Sequence, residues 1–108
     1  MITAKLVRAG VVLATVASQD AYQAQGNQDR GCCGFAWVDV VVDRTNSREA
    51  KELLAAGFRK DYKPRTLSMW NPGGLPVQNM DIKEAGAQAM ATYLRALGLN
   101  ARAGSRMD

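Results

Sequence analysis

Phe35-Ala36-Trp37-Val38-Asp39-Val40-Val41-Val42-Asp43 is the stretch that decides the fold. β-Branched and aromatic residues dominate it, and its side chains alternate between two faces at period two, as in a strand. Phe35, Trp37 and Val41 share one face, while Ala36, Val38, Val40 and Val42 share the other. Both faces are largely apolar, so the strand is expected at the centre of a sheet covered on both sides. Asp39 interrupts the first face and is expected at the limit of its buried part.

Downstream, Asn46-Ser47-Arg48-Glu49 reads as a helix start, with Asn46 as the cap and Glu49 reaching back to it. This helix carries Leu53 and Leu54 and should stop at Gly57, a residue type that accepts the left-handed conformation at a helix end. Phe58 to Tyr62 alternates as an edge strand does, Lys63-Pro64-Arg65 turns the chain, and Thr66 to Trp70 alternates again, which makes a hairpin. Asn71-Pro72-Gly73-Gly74-Leu75-Pro76 is a loop. Asp81 to Glu84 repeats the capping pattern and opens a helix with a stripe of Ile82, Ala85, Ala89, Met90, Tyr93 and Leu97, ending at Gly98. Leu99 to Ala103 is expected as a last short strand.

Upstream, Thr3 to about Gln23 lacks proline and reads as a helix, with Leu6, Val7, Ala9, Val12, Leu13 and Val16 as its apolar face. Lys5 and Arg8 ahead of Ala9 to Ala17 imitate a secretory signal, but Gly10 and Thr15 dilute the apolar stretch, and a helix of the fold is expected. A polar, glycine-bearing loop follows from Gln25 to Gly31. The order after the first helix is β-α-β-β-α-β. The fold class is therefore α+β, a ferredoxin-like split β-α-β-β-α-β sheet with an added N-terminal helix. Val40 and Leu97 are expected to face its shared core.

The 108 residues, 47% hydrophobic and 22% charged, suit one globular domain, with residues 1–25 as the added helix and residues 32–108 as the α+β core. The longest apolar run, Val11 to Ala17, is far short of the roughly 20 residues that span a bilayer, so no membrane partner is expected. Cys32 and Cys33 are adjacent, there is no CxxC pair, and the chain contains no histidine. No zinc site, other cofactor or catalytic residue is therefore expected, and the thiols should be reduced and packed under the N-terminal helix.

Net charge is +4, and Arg59, Lys60, Lys63 and Arg65 fall in one window opposed only by Asp61. That clustering points to an anionic partner or to a solvated turn. Trp70, beside the Asn71-Pro72-Gly73-Gly74 loop, and Arg102, Ser105 and Arg106 near the C-terminus complete the candidate binding residues. Arg106 is alternatively an ion-pair partner of Asp39 or Asp108. In the expected strand order the two basic sets should lie apart on one monomer and meet only across an oligomer interface. An RNA-binding sheet of this kind needs aromatics on an open face. Phe35, Trp37 and Tyr62 are the available rings, but the basic-Gly-aromatic box is missing, and core packing is their expected use.

Gly31-Cys32-Cys33-Gly34-Phe35-Ala36-Trp37-Val38, Asn79-Met80-Asp81-Ile82-Lys83-Glu84-Ala85 and Ala103-Gly104-Ser105-Arg106-Met107-Asp108 resemble blocks of a group of small bacteriophage proteins with no settled activity. The resemblance implies a phage origin and action in the cytoplasm of an infected bacterial cell or in a virion, and assigns no catalytic residue. The expected function is a non-catalytic binding protein, host-directed or counter-defence, that holds a nucleotide, a nucleic acid or a host protein. One alternative is a virion structural or accessory component, in which neighbouring copies or a homo-oligomer hold the termini. A thiol-dependent enzyme is the other, weakened by the lack of a histidine base.

Overall fold

The computed structural model describes residues 1–29 and 31–108. Arg30, within the loop expected after the first helix, lies outside the described residues. The elements run α1 (Ala4–Ala24), β1 (Gly34–Val41), α2 (Arg48–Ala55), β2 (Arg59–Lys60), β3 (Thr66–Trp70), α3 (Met80–Ala96) and β4 (Asn100–Met107). The four strands form one sheet in the order β2-β3-β1-β4, with every neighbouring pair antiparallel. This is the split β-α-β-β-α-β arrangement with α1 added in front. The β2–β3 hairpin is adjacent by necessity. The α2 crossover leaves a gap beside β1 that β3 fills, and α3 returns the chain so that β4 lies on the other edge of β1.

Helix ends follow glycine as the sequence indicates: Gly57 and Gly98 have φ of 114° and 95°. The starts differ by a residue or two. Ser47, not Asn46, accepts a hydrogen bond from the Ala50 amide, and Asn79, not Asp81, accepts one from Ile82. Asn79 is fixed there by tertiary contacts. The Asp29 carboxylate accepts from the amides of Gln78 and Asn79, and the Asn79 side chain donates to Gln25. Asp81 instead lies in the first turn, where a carboxylate suits the positive end of the helix.

The helices pack on one face of the sheet. Ala36, Val38 and Val40 of β1, Leu67 of β3 and Ala101 of β4 meet Leu53 of α2 and Met90, Ala91 and Leu94 of α3. The expectation that β1 is covered on both sides is corrected: Phe35, Trp37 and Val41 are only half-buried, and among the described residues no helix crosses their face. Three other expectations of burial also change. On α1 the buried residues are Val7, Gly10, Ala14 and Ser18, while Leu6, Val12, Leu13 and Val16 are exposed. Small residues win because α1 approaches α3 closely, and the Ser18 hydroxyl donates to the Ile82 carbonyl at 2.8 Å inside the contact. On α3 the stripe is rotated to Ile82, Gly86, Ala87, Met90, Ala91 and Leu94, which leaves Leu97 half-buried at the helix end while Val40 is fully enclosed. Cys32 and Cys33 are both exposed rather than packed under α1. That segment is held by its backbone: the Cys32 carbonyl accepts from Met80, and the Cys33 carbonyl from Asp108.

The last strand is longer than expected. β4 continues past Ala103 because the free edge of β1 pairs with it as far as Gly34 opposite Met107. The Asn71 to Gly74 turn buries Pro72 and Gly73, and a Cβ on Gly73 would collide with the Ser18 side chain. Its glycine serves the approach of the loop to α1. Among the described residues no helix is long and apolar enough to cross a membrane.

Candidate functional site

The uncovered sheet face gathers residues from every strand. The antiparallel registers set Trp37 opposite Trp70 on one side and Gly104 on the other, Asp39 between Ser68 and Arg102, and Phe35 opposite Arg106. Arg59 of β2 pairs with Ser68 and so joins the same face.

Its centre is apolar and flat. The Trp37 and Trp70 rings stack with centroids 4.8 Å apart and planes 25° from parallel, and Phe35 meets Trp70 edge-on at 5.8 Å. Gly104 makes this possible, because a Cβ there would lie 2.6–2.7 Å from three atoms of the Trp37 indole. With only hydrogen at that position, the indole can lean across β4 as a shelf. Trp70, at 53% exposed, forms the outer layer.

Beneath the rings lies a satisfied polar knot. Asp39 is 4% exposed, and its carboxylate accepts from Lys63 Nζ and Ser68 Oγ, each at 2.7 Å, and from Trp37 Nε1 at 3.3 Å. Burial pushes this carboxyl up, but the hydrogen bonds from Lys63 and Ser68 and the charge of Lys63 outweigh it and hold Asp39 below the ordinary carboxylate range. The hydrogen bond to Asp39 correspondingly raises Lys63, with further support from Asp61 at 3.6 Å. This knot orients Trp37 and anchors the β2–β3 turn. A carboxylate so held is poorly suited to taking up a proton as a general base.

Cations rim the rings. Arg106 lies with its guanidinium carbon 5.5 Å from the Phe35 centroid, and Lys83, from the first turns of α3, reaches the same ring at the same distance. A concavity of ≈ 120 Å³ is lined by Arg106 of β4 and by Asp61, Tyr62 and Lys63 of the β2–β3 turn, over Trp37 and Asp39. The expectation that the two basic sets lie apart on one monomer is therefore corrected. They flank one surface because β4 and the β2–β3 turn stand on either side of the same two central strands.

Of the residues singled out in the sequence, Arg59, Lys63, Trp70, Arg102 and Arg106 come together here. Lys60, at the sheet edge, lines a second concavity of ≈ 390 Å³ with Arg59, Asp61 and Trp70, whereas Arg65 is exposed in the turn at φ 55° and Ser105 alternates to the side opposite the rings. Among the described residues Arg59, Arg102 and Arg106 form no ion pair, and Asp39 is paired with Lys63 rather than with Arg106. The sequence alone points Phe35 and Trp37 to the core and does not single out Lys83. Asp39 was the available signal: a carboxylate mid-strand on the Phe35 face is at odds with a fully covered face. Among the described residues no cluster of histidine, cysteine, aspartate or glutamate is disposed to hold a metal ion. Comparison with known proteins gives no match to any family model, curated protein or solved structure. The chemistry this surface offers is stacking on flat rings combined with arginine contacts to anionic groups.

Proposed function

We propose that this protein is a non-catalytic binder of single-stranded nucleic acid, held on the open sheet face. The observation that carries the reading is the Trp37–Trp70 stack, whose exposed outer ring lies on a surface bordered by Arg59, Arg102 and Arg106, none of which forms an ion pair among the described residues. Exposed aromatic rings on a sheet accept unstacked bases, and arginines beside them take the phosphates. A duplex keeps its bases stacked and would leave the rings unused. The resemblance to small phage proteins supports an infected bacterial cell as the setting.

Tryptophan fluorescence titrated with short oligothymidylate and oligouridylate tests this. Binding should quench Trp70 and weaken with salt, with a log–log slope near 2 if Arg59, Arg102 and Arg106 each contact a phosphate, at about 0.7 per contact. Trp70→Ala should weaken binding about 5- to 150-fold, following the 1–3 kcal/mol of one stacked base, without lowering the melting temperature much. Equal affinity of Trp70→Ala, or preference for duplex, would sink the proposal.

A further inference from the structure

We propose a second, independent surface: the outer face of α1 docks against α1 of a second copy of this chain, antiparallel, about a two-fold axis passing between Val12 and Leu13. Away from its buried seam of Val7, Gly10, Ala14 and Ser18, this helix exposes Val12 and Val16 on the opposite side, at 63% and 50%, and Leu6 and Leu13 on the flank, at 39% and 45%. At 3.6 residues per turn, Lys5, Ala9, Val12, Val16 and Asp20 fall in one row along the outside, with Leu13 beside it. An apolar row on an exposed helix face marks an interaction surface.

Its charges select the occupant. Lys5 closes the row at the N-terminal end and Asp20 closes it at the other, and among the described residues neither forms an ion pair within the chain. A two-fold axis between Val12 and Leu13 sets Lys5 against the partner's Asp20, Ala9 against the partner's Val16, and Val12 against the partner's Leu13. Small Ala9 facing Val16 permits close approach, and the interface is self-complementary, as a closed two-fold contact requires. Parallel docking would instead oppose Lys5 to Lys5. The helix itself has no acidic residue in its first turn and no basic residue in its last. An antiparallel copy brings Asp20 toward the first and Lys5 toward the last, complementing the helix dipole at both ends. An anionic lipid surface would be repelled by Asp20, which closes the apolar row. The interface is small, so association in the micromolar range is expected.

Sedimentation analysis of the intact chain across about 1–500 μM brackets that range. The wild type should pass from monomer to dimer, and Leu13→Asp should remain monomeric while keeping its helical circular dichroism. Lys5→Asp and Asp20→Lys should each weaken association about tenfold, and the double variant should restore it, because only the antiparallel register exchanges the two charges. A wild type that stays monomeric throughout, a Leu13→Asp variant that dimerises as well, or a double variant without rescue overturns the proposal. Because α1 lies on the helix side and the rings on the opposite face, Trp70→Ala leaves this equilibrium unchanged, so the two readings fail separately.

Discussion

At the scale of single residues, the Asp39–Lys63 pair is the most exacting arrangement in the molecule. Asp39 is buried and Lys63 has a side chain 37% exposed, so the pair falls between a surface bridge worth under 1 kcal/mol and a buried one whose rupture costs 3–5. Lys63→Met should destabilise the protein by about 1–2 kcal/mol at neutral pH, because it leaves a buried carboxylate with only Ser68 and Trp37 as donors. The pH dependence follows from the directions of the two shifts. Asp39 titrates below its unfolded value, so its contribution is complete above about pH 4 and disappears as pH falls through the folded value. Lys63 titrates above its unfolded value, so its contribution is complete below about pH 10 and is lost as pH rises through the folded value. Urea denaturation at several pH values should therefore find the largest gap between wild type and Lys63→Met within that window, closing in acid. A gap that does not narrow in acid would contradict this account.

At the scale of elements, the crossing of α1, α3 and the loop at Gly73 depends on atoms that are missing. A Cβ on Gly86 would lie 3.1 Å from the Ala14 carbonyl and 3.2 Å from Gly73 Cα, and would run into the Ser18 hydroxyl. Glycine inside a helix costs up to about 1 kcal/mol in conformational entropy, and here the close approach offsets it. Gly86→Val should force α1 away from α3 and cost about 1–3 kcal/mol, a fall of several degrees or more in melting temperature. An unchanged melt would mean that α1 is free to move outward. The same crossing explains why the outer row of α1 is apolar yet unburied: the seam is narrow and is filled by Gly10, Ala14 and Ser18.

At the scale of the whole molecule, one-sided packing sets stability and leaves open the surface proposed for binding. The helices cover one face of the sheet and leave the other to the tryptophans, so the core is thin and concentrated on β1. Val40 is fully buried there, and Val40→Asp would place an unpaired carboxylate in the core of a domain whose total stability is about 5–15 kcal/mol. That variant should lose its cooperative thermal transition, and a folded variant with near-native stability would contradict the register of β1. The order of elements, the glycine stops at Gly57 and Gly98, and hence the strand order were determined by the sequence itself, because period, caps and hairpin length are local and the short connections leave few topologies. Tertiary structure decided which face of β1 is covered. Phe35, Trp37 and Val41 are as apolar as Ala36, Val38 and Val40, so Asp39 is the one residue of the alternation that ranks the two faces; the direction in which α2 and α3 cross settles it. It also rotated α1 onto its small residues, since closeness of approach rather than hydrophobicity chose the seam. And it brought Arg106 and Lys63 to one concavity, joining residues that are distant in the chain through a sheet register no local pattern encodes.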